Sequence, residues 1–490
     1  MSRILRTAPS CAVVPPEEIR GRIDASYYDE KYNDLDQELS RFNDNQKVSL
    51  GDLLDSPRRI LYQQTTTFEK PNIPDGAIPF ISGVDLDGDT MSINWSRVKY
   101  VESWMAERYP KGKLFGGALL IKVKGPNQHT VYVSENKRLA LVSGTVFFSK
   151  TKNCDPYYLT SYLSSKSGVK WRSRLRTNTT VEFIGNEELR NVPVLLPDEK
   201  VQRFIGKHLE LSEVCRRRAD TLLKEANQMF DKKLQAGAFV VLNNKTNFID
   251  LSRLQERIAA EFYLPKYYQI NSHFSQLGLK TTNFGAACKS IFRSSTPKRS
   301  ETGNIPCLLT TDIKPHKISH TQAAIKIEPS VYRNHVGKLE SRDIVYSSIC
   351  SPHGDAAVVL PHWGEMAAGG DVTVIRANAD FHPGYLCLFL NSIFGQMQSE
   401  RYSRGSVQRR VYPDDIGSFC LPLLNGDEQT QIGRRVIQFQ VLCEKAFEIS
   451  NQAKKATDNL VKGQLDIDAI LSGKLKAPTW EDIEKELEGI

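Results

Sequence analysis

The sequence predicts a mixed α/β protein: two copies of one domain joined by two long helices that form an antiparallel coiled coil. Three observations predict it. Residues 22–35, RIDASYYDEKYNDL, match residues 257–270, RIAAEFYLPKYYQI, in register. Two stretches carry small or apolar side chains at alternating steps of four and three, the spacing of a coiled-coil seam. They are Val201, Ile205, His208, Ser212, Cys215, Ala219, Leu222, Ala226 and Met229, and Ile432, Val436, Phe439, Cys443, Ala446, Ser450, Ala453, Thr457 and Leu460. Within each copy, short β-branched and apolar runs alternate with Gly and Pro and lead into helix-like segments, as in a mixed α/β domain.

The repeat continues along the chain. Ile78-Pro79-Phe80-Ile81 with Asp85 aligns with Ile305-Pro306-Cys307-Leu308 and Asp312. The strands expected in the first copy are Ala118 to Val123, Leu139 to Val142 and Thr145 to Phe148; those in the second are Ile344 to Tyr346, Ala356 to Leu360 and Val372 to Ile375. Pro156, Tyr158, Leu159, Leu163, Gly168 and Arg174 then sit opposite Pro383, Tyr385, Leu386, Leu390, Gly395 and Arg401 at a constant offset, and Leu189 meets Ile416. Each copy ends in an apolar Pro-containing run before Asp198-Glu199 or Asp427-Glu428 opens a long helix, where acidic residues complement the helix dipole. About 33 residues of such helix span on the order of 50 Å. Matching the two seams places His208 opposite Phe439. Ala236-Gly237-Ala238 and Asn243-Asn244 supply a helix stop and a turn. The expected division is therefore 1–197 for an N-terminal segment and the first domain, 198–235 for the first helix, 236–426 for a linker and the second domain, 427–471 for the second helix, and 472–490 for an acidic tail read as solvated decoration.

The chain has 490 residues, 40% of them hydrophobic and 25% charged, which is enough to bury the cores of several domains and excludes a disordered or collagen-like chain. A net charge of +8 is modest, so a nucleic-acid partner follows only if the basic residues cluster. Nine cysteines without any C-x-x-C spacing read as reduced, cytoplasmic usage. No stretch of about 18 apolar residues occurs, so neither an export signal nor a membrane span is expected.

Several catalytic lookalikes carry little. Asp155-Pro156-Tyr157-Tyr158 resembles the D-P-P-Y loop of adenine methyltransferases, yet the second Pro is missing and no glycine-rich cofactor turn precedes it; a helix start explains it better. Cys307, His316 and His320 lack a fourth neighbour for zinc, so no metal is expected. Pro197-Asp198-Glu199-Lys200 packs nuclease-like letters into what reads as a helix start.

The basic clusters carry more. Lys170-Trp171-Arg172-Ser173-Arg174-Leu175-Arg176-Thr177-Asn178-Thr179-Thr180 is matched in the second copy by Arg401-Tyr402-Ser403-Arg404-Gly405-Ser406-Val407-Gln408-Arg409-Arg410. Arg and Lys neutralise phosphates, Arg grips guanine edges, and Asn or Gln does the same for adenine. A solvated helix face is the plain alternative for one such run; two at equivalent places point to DNA. The candidate DNA-binding residues there are Arg172, Arg174, Arg176, Asn178, Thr179, Arg401, Arg404, Ser406, Gln408, Arg409 and Arg410. A second polar set follows the first strand run: Lys122, Lys124, Asn127, Gln128 and His129, opposed by Ser347, Ser348, Ser351, His353 and Gly354. Two readers of different sequences need such differences on a common frame, and free surface drift produces them too.

This layout resembles the specificity subunit of type I restriction-modification systems. The resemblance covers nearly the whole chain. It rests on the I-P-x-[IL] strand followed by Asp85 or Asp312, the Thr177 to Thr180 and Gly405 to Gln408 stretches, and the apolar Pro run leading into a long helix. The family's helix start usually carries an E-Q pair; the first copy has Glu199-Lys200 and the second keeps Glu428-Gln429. The resemblance implies two target-recognition domains, each reading half of a bipartite site on double-stranded DNA, in a subunit with no catalytic residues, cofactor or metal of its own and a role in phage defence. Catalysis and base flipping then belong to partner methyltransferase subunits that use S-adenosylmethionine to modify adenine N6, with a motor nuclease subunit as a further partner. The alternative from another class is a self-sufficient sequence-specific DNA-binding regulator.

Overall fold

The structure is a computed structural model that describes residues 19, 22, 24–63, 65–70, 72–126, 128–136, 138–177, 181–242, 244, 246–250, 254, 257–319, 323, 325–350 and 354–488. Two compact units emerge, one of Met1–Val214 with Lys445–Asp482, the other of Cys215–Glu444 with Ile483–Ile490. The long helices, Glu199–Leu234 and Gly426–Val461, each contribute a part to both units.

The α/β expectation holds, and the duplication is visible strand for strand. In the first unit an antiparallel four-stranded sheet runs in the order Leu54–Arg58, Val146–Thr151, Ala118–Lys122, Thr130–Val133; in the second the order is Cys288–Arg293, Val372–Ala377, Ile344–Ser347, Ala356–Val358. Beside each lies a three-stranded sheet: Lys99–Val101, Ile78–Ile81, Leu141–Val142 in the first unit and Ile325–Ile327, Ile305–Leu308, Ala367–Ala368 in the second. Its last pair is parallel in both units. The I-P-x-[IL] runs are thus central strands, and Pro79 and Pro306 sit in them.

Sequence patterning missed the edge strands Leu54–Arg58 and Cys288–Arg293. The first, LDSPR, lacks the β-branched alternation of a strand and contains a Pro that only an edge tolerates. Its pairing slips at a bulge where Ser56 takes a left-handed φ of 57°.

Each unit joins its sheet to a long helix through the same bracket of hydrogen bonds. Asp155 and His382 are the N-caps of short helices that begin with Pro156 and Pro383, so the D-P-Y-Y lookalike is a helix start. The Asp155 carboxylate accepts from the Tyr157 and Tyr158 amides, and His382 Nδ1 accepts from the Gly384 amide at 3.2 Å. Gln202 Oε1 accepts from Asp155 N at 3.1 Å while its Nε2 donates to Pro197 O at 2.8 Å. Gln429 repeats this with His382 N at 3.3 Å and Leu424 O at 2.9 Å. Gln202, not Lys200, is therefore the counterpart of Gln429, and the glutamine is kept in both copies. One turn on, a Cβ at Gly206 would fall 2.5 Å from Asp155 Oδ1, and one at Gly433 would fall 1.9 Å from His382 Nδ1, so both positions need glycine for the close approach. Tyr158 and Tyr385 close the bracket by donating to Leu195 O and Pro422 O, each at 2.6 Å.

The same anchors correct the seam alignment. Gly206 and Gly433 are equivalent, so Ile205 corresponds to Ile432, and Ser212 rather than His208 stands opposite Phe439. The seam residues are buried apart from half-buried Met229 and Cys443. Their ends join the domain cores: Val201, Ile205, Leu209 and Leu460 pack with Tyr158 and Leu163 in the first unit, and Phe230, Leu234, Ile432 and Val436 with Tyr385 and Phe394 in the second. In the first unit Ser212 Oγ donates to Ala446 O at 2.6 Å, a close approach that its small side chain permits. In the second, Glu225 meets Arg435 at 3.2 Å and Lys233 meets Glu428, so there the helices run in opposite directions.

The second long helix ends at Val461, and Gly463, at φ 69°, turns the chain into a short helix at Ile467–Leu471. The acidic tail is more than decoration. Its helix, Trp480–Glu488, buries Ile483 and lays Leu487 against Leu360, Ile437 and Val441 of the second unit. Among the described residues no helix is long and apolar enough to cross a membrane.

Two outcomes follow. Tyr158→Phe and Tyr385→Phe each strand a buried carbonyl and should lower stability by about 1–3 kcal/mol in denaturant titrations. Burial, with repulsion from Arg342 and Arg434, holds His382 down to about 4, and burial holds His316 down to about 4. An unfolded histidine titrates near pH 6.5, so the unfolded chain takes up these protons first. Stability is then level above about pH 6.5 and lost towards pH 4, by up to about 1.4 kcal/mol per pH unit for each histidine. His382→Asp, which copies the cap of the first unit, should make that loss shallower in melts across the same range.

Candidate nucleic-acid interface

Two loops from distant parts of the sequence meet in each unit. After the helix Lys166–Arg174, Thr177 and Phe183 exchange backbone hydrogen bonds at 2.8 and 3.4 Å and close a loop; Arg404 and Arg410 do the same in the second unit at 2.8 and 2.7 Å. Gly405 takes a φ of 113°, where a Cβ would strike Gln408 O at 2.5 Å, so the tight tip demands glycine. The loops that follow the strands Ala118–Lys122 and Ile344–Ser347 run alongside. Lys124 bridges Phe183 and Gly125 N donates to Glu182 O at 2.9 Å, while Ile349–Cys350 pairs with Arg409–Arg410. The loop that ends the basic run and the loop after the strand, separate in sequence, thus lie side by side in each unit.

The predicted residues divide by burial. Lys124, Arg404, Ser406 and Gln408 are exposed, beside a Val407 that is 95% exposed; Arg409 and Arg410 are half-buried. Asn127, Asn178, Thr179 and His353 lie outside the described residues, as do Ser351 and His320. Lys122, Gln128 and Arg172 are buried, against expectation. Arg172, at 0% exposure, donates to Gln128 O at 2.8 Å and Leu163 O at 2.6 Å, so it cannot touch DNA. Gln128 rests its amide on Ser173 Oγ at 2.8 Å. Arg176 donates to Gly125 O at 3.0 Å and pairs with Glu182.

Arg174 and Arg401 are spent within their units. Their Nε atoms donate to Tyr27 O at 3.1 Å and Phe262 O at 3.2 Å, and their guanidinium groups lie 4.5 and 4.4 Å from those rings. Arg22 and Arg257 reciprocate by donating to the carbonyls of Leu175 and Arg176, and of Arg401 and Tyr402. Tyr28 and Tyr263 then donate back to Arg22 O at 2.8 Å and Arg257 O at 2.6 Å. The repeated R-I-x-A motif is therefore a clamp that ties the start of each copy to its basic helix.

Sequence reasoning missed two further features. Asp415, nearly buried, holds both Arg257 at 3.2 Å and Arg404 at 2.7 Å. Arg58, Lys113 and Lys150 converge on a cleft of 330 Å³, with Arg58 and Lys150 at 5.2 and 5.9 Å from the Phe115 ring. Neither left a local signal, because the partners come from separate strands and loops. The Cys307 and His316 pair forms no centre either: Cys307 is buried in its strand, and His316 Nδ1 lies 3.9 Å from Cys387 Sγ. Among the described residues no group of His, Cys, Asp and Glu could hold a metal ion.

No family model matches the sequence, and no curated protein matches it. The chain is similar to solved S subunits of type I restriction-modification systems. The S subunit from M. genitalium is 14% identical over 86% of this chain and 97% of that one, with a TM-score of 0.39. The HsdS subunit from Thermoanaerobacter tengcongensis is 15% identical over 86% and 97%, with a TM-score of 0.27. A structure describing complex assembly and conformational transition of the type I R-M system is 14% identical over 86% and 98%, with a TM-score of 0.28.

The clamp yields a test. Arg174→Ala and Arg401→Ala each remove a charged hydrogen bond and a ring contact, and should lower stability by about 1.5–3 kcal/mol in denaturant titrations, whatever they do to DNA.

Proposed function

We propose that this chain is a non-catalytic DNA-specificity subunit whose two units each read one half of a bipartite site on double-stranded DNA and direct partner adenine N6-methyltransferase subunits to it, with a motor nuclease as a further partner. One observation carries the reading: a frame repeated strand for strand presents loop pairs whose residues differ. Lys124 stands against Ile349, Thr177 against Arg404, and Phe183 against Arg410. A fold kept constant while its exposed loops diverge suits two readers of different sequences. In the second unit Arg404, Arg409 and Arg410 suit phosphates or guanine edges, and Gln408 suits adenine.

The long helices are then a ruler. Each has 36 residues, about 54 Å, more than the roughly 34 Å of one DNA turn. Their pairing as an antiparallel coiled coil is part of this proposal. Inserting seven residues after Val214 and seven after Glu444 should lengthen the unread spacer by about three base pairs, since about 10.5 Å is added against about 3.4 Å per pair. Methylome sequencing of cells carrying the variant reads the spacer directly, and an unchanged spacer in an active complex refutes the ruler. Affinity purification of the full chain from its host should bring down a methyltransferase. Tight, sequence-specific binding by the chain alone with no such partner would favour a self-sufficient regulator.

A further inference from the structure

The two units differ in buried charge where their loops meet the sheet. In the first, Lys122 Nζ donates to Pro126 O at 2.6 Å, Arg176 to Gly125 O at 3.0 Å and Arg172 to Gln128 O at 2.8 Å. Three cations thus grip the carbonyls of one short loop from below. Among the described residues no carboxylate pairs with Lys122 or Arg172, and Arg172 Nη1 has no hydrogen-bond partner. Only half-exposed Glu182 answers Arg176. Burial lowers the pKa of all three, with Arg172 pushed down to about 9, which reports the cost of holding charge there. His129 beside them is lowered by burial and then by Lys122, although Asp87 and Asp89 act the other way.

The strands and helix around this place recur in the second unit without these charges. Ladder register sets Ser347 opposite Val372 as Lys122 is opposite Val146. Ser347 N bonds Asp355 O as Lys122 N bonds His129 O, so Asp355 replaces His129. Counting from the matching helix caps Ser165 and Ser392, Ser399 replaces Arg172 and Ser403 replaces Arg176. Tyr346 donates to Ser399 Oγ at 2.8 Å. Gly83, where a Cβ would fall 2.8 Å from the Lys122 stem, is replaced by Thr310. The cations outside this unit are instead each met by a carboxylate: Arg404 by Asp415, Arg409 by Glu261, Arg410 by Asp371. The second unit builds the same frame with serines at these positions, so the frame itself does not require buried cations.

We infer that the units engage DNA unequally: the segment Lys124–Pro126 of the first unit seats a phosphodiester over Lys122, Arg172 and Arg176, a seat that the second unit lacks because Ser347, Ser399 and Ser403 stand at the matching positions. This rests on the DNA reading proposed above. Lys124 meets the anion at the surface, and the cations beneath supply potential through a short, poorly screened path.

The test uses the full chain and a random-sequence duplex, with anisotropy measured between about 50 and 200 mM salt. Gly83→Thr with Lys122→Ser copies the packing of the second unit and should fold, as a circular dichroism melt checks. The slope of log K against log salt should fall in magnitude by about 0.9, one phosphate contact. Arg176→Ser should do the same, and Arg176→Lys should retain the wild-type slope. An unchanged slope in Arg176→Ser and in the double variant, even with weaker binding, overturns this inference alone and leaves the cations as braces of the loop. No binding by the wild-type chain at any salt overturns the DNA reading and this inference with it.

Discussion

A single glutamine on each long helix holds the rest of its unit in place. Amides at a helix start have no partner within the helix, and a buried one must find an acceptor elsewhere. Gln202 and Gln429 meet that demand at a neighbour's cap, by accepting from Asp155 or His382 and donating to the carbonyl of Pro197 or Leu424. Gly206 and Gly433 let the cap residue come down onto the helix, and Tyr158 and Tyr385 tie the same short helix to the strand that precedes the long one. Sheet, short helix and long helix are thereby fixed to one another in each unit, so the position of a loop is set by the frame and its sequence is free to vary.

The bracket also explains how the two copies can diverge in charge without diverging in fold. Its groups are neutral or hydrogen-bonded, and none of them belongs to the loops. The loops of the second unit wear their cations outside, each beside a carboxylate, while the first unit keeps its cations under the loop on carbonyl oxygens. Substitutions such as Gly83 and Lys122 against Thr310 and Ser347 conserve volume, which close-packed interiors tolerate better than net changes in size.

Much of this was legible from the chain. The duplication, the central strands, the paired helix starts and the buried seams follow from residue type at fixed spacing. The alignment of the seams did not. A stripe at steps of four and three looks much the same when shifted by one turn, so the match of His208 with Phe439 was as consistent as the correct match of Ser212, and the glutamines and glycines that meet the caps distinguish them. The candidate site was legible as a region but not residue by residue. A run of Arg and Lys on a short helix points in every direction around it, and Arg172, Arg174 and Arg401 turn inward to carbonyls and rings that lie far off in sequence.

By itself the sequence determined that this protein is a doubled α/β chain with two long amphipathic helices and basic loops at matching places, because repeats and periodicity are local properties of the residue order. Tertiary structure alone decided which cations reach the surface, that the post-strand loop and the basic loop lie side by side in each unit, and that the acidic tail buries Ile483 and lays Leu487 on the second unit. Those outcomes depend on which distant carbonyl, ring or carboxylate arrives beside each side chain, and no spacing along the chain encodes that.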